Sequence, residues 1–173
     1  MKEMVKTFLI GIGICIFSLF AAVPVHAGEN ATPEEVHEMV VKAADVLRVM
    51  GEEALPEFND PNGEFVWKDS YVFVADCSVP TAVAHPFIPE LVGPDQSELQ
   101  GTRGTYFVAE LCRVAEHPNG GWFDYWWPRP GYPDDEDFRK ISFSINVPGQ
   151  PYQVSAGIYN DDMTIDELNE ILR

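Results

Sequence analysis

Residues 71–75 read Tyr71-Val72-Phe73-Val74-Ala75, and no polar residue interrupts either alternation. Side chains of an extended segment point to opposite faces in turn, so a strand with one wet face alternates apolar and polar. A short run that is apolar throughout therefore reads as a strand covered on both sides. The rest of the chain must then supply more strands and two covers.

The strands lie downstream. Residues 77–80 turn the chain and 81–84 form a second short strand, ending at His85-Pro86. Three more follow at 122–127, 140–147 and 152–159. A loop over 128–138 and the Pro148-Gly149 turn separate them. The alternation in 140–147 is clean: Ile141, Phe143, Ile145 and Val147 face one way, and Ser142, Ser144 and Asn146 the other.

The first cover precedes the strands. Thr32-Pro33-Glu34-Glu35 combines an N-cap, a proline at the first helical position and a capping-box glutamate. Val36, Met39, Val40, Ala43, Leu47 and Met50 then recur on one helical face, and Gly51 or Pro56 ends the helix. The second cover lies between the strands. Residues 87–104 are irregular and rich in Pro and Gly, and 105–116 carry Phe107, Leu111 and Val114 on one helical stripe. A long connection of this kind inside a small domain is usually functional. Thr164 to Glu167 repeats the capping box and opens a last short helix with Ile165, Leu168 and Ile171. The expectation is an α+β domain: a five-stranded antiparallel sheet with a long N-terminal helix, a loop-helix insertion and a short C-terminal helix.

Lys2 and Lys6 precede an apolar run over 7–23, and Val25-His26-Ala27 follows as a small-residue cleavage site. That reads as a signal peptide, with cleavage expected after residue 27 and one domain over 28–173, and with an uncleaved anchor as the other reading. The run is short for a bilayer span. The expectation is export to the periplasm or beyond without stable membrane insertion. The chain is 46% hydrophobic and carries a net charge of −17. Such a surface repels nucleic acid and serves solubility. Outside the signal segment the cysteines are Cys77 and Cys112. In an oxidising compartment they read as a disulfide, with two buried thiols as the other reading.

Enzyme signatures are missing. The sequence has no G-x-S-x-G, H-E-x-x-H, P-loop or G-x-G-x-x-G, and His37, His85 and His117 lack metal-ligand spacing. Asp60 to Glu64 reads as a turn and Asp134 to Asp137 as a solvated loop. No enzyme activity, cofactor or metal is expected. Trp122-Phe123-Asp124-Tyr125-Trp126-Trp127 places five aromatics in six residues, either as core or as the wall of a ligand site. Lys140, at the start of a strand, reads either as the partner of an anionic ligand or as a surface lysine.

Several segments resemble a known family. Tyr71-Val72-Phe73-Val74, Ala84-His85-Pro86 and Leu91-Val92-Gly93 resemble the core of the single Cache domain, type 2. Gly104 to Leu111, Gly120-Gly121-Trp122, Tyr125 to Gly131, Lys140 to Phe143 and Gly157-Ile158-Tyr159 resemble its later segments. The resemblance spans about residues 58–162. It implies a PAS-like sheet behind a long helix and extracytoplasmic sensing of small molecules, often carboxylates, without catalysis. By position it implies that His85, Phe107, Tyr125, Trp126, Lys140 and Ser142 face a ligand. Two departures stand out: no glycine follows Asp76 in the first turn, and Phe143 replaces a tyrosine.

The expected function is a freestanding periplasmic module for a small organic ligand. A short carboxylate is favoured and an amine or neutral molecule stays open. The signal would pass to a membrane-bound partner. The alternative is a structural or interaction subunit of an exported complex with no small ligand, marked by an exposed apolar patch around Trp126 and Trp127.

Overall fold

The computed structural model describes residues 29–133 and 135–171. The signal segment and Asp134 lie outside the described residues. Helix α1 (Pro33–Met50) starts as its sequence dictates. The Thr32 side chain accepts from the Glu35 N–H, and the Glu35 carboxylate accepts from the Thr32 N–H. A short helix α2 (Leu55–Phe58) follows. Strands β1 (Val66–Trp67), β2 (Ser70–Asp76) and β3 (Thr81–Ala84) come next, then α3 (Phe107–Ala115), β4 (Gly121–Trp127), β5 (Phe138–Asn146), β6 (Tyr152–Tyr159) and α4 (Ile165–Ile171).

The sheet is antiparallel and has six strands, one more than the sequence predicts. The extra strand is β1, two residues long, joined to β2 through Lys68 and Asp69. Lys68 takes a positive φ of 47° in that turn. The turn carries none of the Asn-Gly or Asp-Gly signals that mark such hairpins, so the sequence pattern does not reveal it. In the sheet β6 is central, with β2 on one side and β5 then β4 on the other. Strands β1 and β3 share the far edge of β2.

Both faces are covered, as residues 71–75 require. Val72 and Val74 pack with Ile141, Phe143, Val154 and Ile158 beneath α1. Tyr71 and Phe73 point the other way, to Phe107 and Leu111 of α3 and to Tyr125 and Trp127 of β4. The serine side of β5 is also buried. Ser144 hydrogen-bonds Ser155, which also accepts from the Gln153 amide, so polar residues are satisfied within the second layer. A Cβ at Gly120, where φ is +71°, would meet the Ser144 carbonyl at 2.5 Å. Glycine there lets the α3–β4 connection pass close to β5.

Cys77 and Cys112 are joined by a disulfide, Cα–Cα 5.8 Å. The bond ties the β2–β3 turn to α3. Between them the irregular segment is held to the sheet by its backbone. The Gly93 N–H donates to the Ala82 carbonyl, Gln96 N–H to Pro80, and Thr102 N–H to Trp126.

Candidate functional site

Register builds the site. Lys140 of β5 stands opposite Tyr125 of β4 and Tyr159 of β6, so one row across three strands reads tyrosine, lysine, tyrosine on the α3 side. In the next row Ser142 is opposite Gly157. A Cβ at Gly157 would come within 2.6 Å of Ser142 Oγ and 3.0 Å of Lys140 Cε. The missing side chain is what lets the lysine stem lie flat in the layer.

Around Lys140 runs a narrow cavity of about 20 Å³, room for about one water before any side chain moves. Tyr71 and Phe73 come from β2, His85 from the end of β3, Tyr125 and Trp127 from β4. Leu91, Gln96, Leu99 and Phe107 close it from the irregular segment and α3. Phe107 stacks on Tyr125 with ring centroids 4.4 Å apart, and the Tyr125 and Ser142 hydroxyls are 3.2 Å apart.

Lys140 is only 1% exposed. Its Nζ lies 3.8 Å from the Tyr71 ring centroid, 5.1 Å from that of Phe73 and 5.5 Å from that of Tyr159. Ring faces attract a cation, but they do not replace a carboxylate. Asp69 acts on it electrostatically, but its oxygens are engaged elsewhere. Oδ1 accepts from the Ala31 N–H at 2.7 Å and Oδ2 from Arg129 at 2.8 Å. Burial accordingly lowers Lys140 to about 7, and Asp69 offsets this only in part.

The His85 Nδ1 accepts from the Phe87 and Ile88 N–H groups at 3.2 and 3.0 Å. That fixes the tautomer, leaving the proton on Nε2 as a donor. Burial, with Lys140 nearby, lowers His85 to about 3, so the ring is neutral. Burial pushes Tyr71 up to about 12, with hydrogen bonding to Tyr159 and Trp127 offsetting part of the rise. Tyr125 and Tyr159 are raised as well, chiefly by burial. The site thus holds one basic amine, several neutral hydroxyl and N–H donors, and apolar walls.

The structure brings His85, Phe107, Tyr125 and Lys140 together. It does not bring Trp126 with them. Strand alternation turns Trp126 to the other face from Tyr125 and Trp127, and the Arg103 guanidinium lies over its ring at 3.0 Å. Ser142 stands behind Tyr125 rather than on the cavity wall. Lys140 is no surface lysine. The apolar patch around Trp126 and Trp127 that would mark an interaction subunit is not formed, since Trp127 is buried at 9% exposure and Arg103 covers Trp126. Tyr71, Phe73, Trp127, Gln96 and Gly157 are additions. Alternation within 71–75 and 122–127 carried the signal for the first three; nothing in the pattern marked Gln96. Among the described residues no group of three His, Cys, Asp or Glu is placed to hold a metal.

Comparison with known proteins gives the same architecture. The sequence profile of the family described as Single Cache domain 2 matches residues 33–172. The methyl-accepting chemotaxis protein McpP of Pseudomonas putida is 25% identical over 103 residues, covering 60% of this chain and 18% of that protein. The chain thus spans under a fifth of that relative's length. A methyl-accepting chemotaxis protein from Vibrio parahaemolyticus superposes with a TM-score of 0.59 at 21% identity, covering 75% of this chain and 88% of that one. A Cache chemosensory domain whose structure was described as the basis for carboxylic acid recognition superposes with a TM-score of 0.56. It is 22% identical, covering 72% of this chain and 86% of the other. Among the described residues no helix is long and apolar enough to cross a membrane.

Proposed function

The chain belongs to the single Cache domain family, type 2, and from that premise we propose that it is an extracytoplasmic sensor module that binds a short monocarboxylate on Lys140. The observation that carries this reading is the lysine itself. A buried ammonium with rings around it and no carboxylate within hydrogen-bond reach is costly unless something pairs with it. A ligand carboxylate supplies the missing charge. His85, whose Nε2 carries the proton, and Tyr71 line the same cavity as neutral polar groups. With one cation and apolar walls, the cavity suits one carboxylate on a short aliphatic chain; a second carboxylate would be buried unpaired. Carboxylic acid recognition by a neighbouring Cache domain supports the assignment. The net charge of −17 opposes anions at long range, but screening within about 8 Å at physiological salt leaves the local lysine to decide.

On this reading the domain is exported through its N-terminal signal, works outside the cytoplasm and passes its state to a membrane-bound signalling partner. A second reading, an interaction subunit without a small ligand, is favoured by one observation: the cavity is narrow and already lined by tight ring contacts. Thermal denaturation with acetate, propionate, succinate, a short amine and a short alcohol separates the two. A rise in Tm with the monocarboxylates that is lost in Lys140→Met supports the sensor. No rise with any compound, from a cooperatively folded protein, leaves the interaction subunit.

A further inference from the structure

We propose that the carboxylate enters this site together with a proton, so that the pocket takes up the acid as anion plus H⁺ and its affinity is set by pH. This rests on the assignment of a carboxylate to Lys140 and adds the state of the lysine before and after binding.

The geometry carries it. Lys140 Nζ is enclosed by the rings of Tyr71, Phe73 and Tyr159, its residue is 1% exposed, and among the described residues no Asp or Glu forms an ion pair with it. The groups facing it from each packed element can be named. Strand β2 supplies Tyr71, β4 Tyr125 and β6 Tyr159, all hydroxyls held neutral by burial. The end of β3 supplies His85, whose Nδ1 is occupied by two backbone N–H groups. The β1–β2 turn supplies Asp69, already committed to Ala31 and Arg129. From α3 and the irregular segment come Phe107, Leu91, Gln96 and Leu99, none of which titrates.

The amine is therefore the one group in the cavity that changes charge near neutral pH, and an isolated charge there is disfavoured by desolvation. A carboxylate beside Nζ reverses the balance, because the ammonium–carboxylate pair is mutually stabilising where either ion alone is not. Above neutral pH, binding then reads as amine plus carboxylate plus one proton from solvent giving the ion pair. Below neutral pH the ammonium is already present and no proton is drawn. By linkage the affinity is flat on the acid side and falls about tenfold per pH unit on the alkaline side.

The test is calorimetry with acetate and propionate at pH 6 and pH 8, each in phosphate and in Tris, whose ionisation heats differ. The expected result is binding at both pH values, with close to one proton taken up per site at pH 8 and almost none at pH 6. Equal binding at pH 6 and 8 with no buffer dependence overturns the proton coupling and leaves the carboxylate site standing. No binding at pH 6, where the lysine is already charged, overturns the carboxylate site and the coupling with it. A second readout needs no ligand: the ¹³Cε resonance of Lys140, assigned by its loss in Lys140→Met. A midpoint near neutral pH that moves upward with saturating propionate is expected. A midpoint near that of a free lysine in the unliganded protein overturns the proposal.

Discussion

Phe107 of α3 lies flat on Tyr125 of β4, with ring centroids 4.4 Å apart and planes 7° from parallel. One ring belongs to the roof of the cavity and the other to the sheet, so this contact sets how far the roof stands from Lys140. Phe107→Ala should cost roughly 3–5 kcal/mol of unfolding free energy, as large-to-small changes in cores do. It should also shift binding from acetate toward longer carboxylates. Urea unfolding and a chain-length series of ligands check the two halves, and an unchanged length preference would show that the stack does not gauge the ligand.

Lys140 is predicted to trade stability for binding. Its folded pKa of about 7 lies below the ordinary 10.5, so between these values the unfolded chain holds more protons and stability rises with pH. Below pH 7 the full penalty is present. Lys140→Met should therefore melt higher than the parent at pH 6, by several degrees, with the advantage shrinking toward pH 10, while the carboxylate-induced shift disappears. A variant that melts lower at pH 6 would contradict the burial penalty.

His85 should govern part of the acid limb. With its folded pKa lowered to about 3 from 6.5, the unfolded chain binds the proton first, and stability is lost as pH falls from 6.5 toward 3. His85→Asn keeps a side-chain oxygen for the Phe87 and Ile88 N–H groups and removes the titration. Its stability should be flatter than the parent's across that window, read by urea midpoints at half-unit pH steps.

Trp126 separates the observed geometry from the positional resemblance. It lies under Arg103, away from the cavity, so Trp126→Ala should leave the propionate-induced shift within error of the parent's. Trp127→Ala, which removes a cavity wall, should abolish it. Equal loss in both would return Trp126 to the site.

Breaking the Cys77–Cys112 bond, 35 residues apart in sequence, should cost about 3–4 kcal/mol on the chain-entropy account. Cys112→Ser, measured by urea unfolding, checks this.

Period-based reasoning made most of the fold legible. The two-faced run at 71–75 demanded covers on both sides; the cap at Thr32 announced the first, and the stripe of Phe107, Leu111 and Val114 announced the second. Strand β1 stayed hidden because it has two residues and turns through Lys68-Asp69 rather than the Asn-Gly or Asp-Gly pair that marks such hairpins. The site was legible in part. His85, Phe107, Tyr125 and Lys140 came from segment resemblance, while Trp126 was placed against the alternation that separates it from Tyr125. Gly157 escaped because its role is an absence opposite Ser142, and only the strand register reveals which neighbour that absence serves.

The disulfide also bears on time. It closes a ring containing His85, the irregular segment and Phe107, and Gly93 and Thr102 pin that ring to β3 and β4. On the proposed sensor reading, a ligand then waits for a fastened loop to open rather than pushing aside a free flap. Association is then limited by opening rather than by diffusion, and occupancy persists through brief fluctuations outside. A detector fastened in this way reports a running average of its surroundings and filters out their noise.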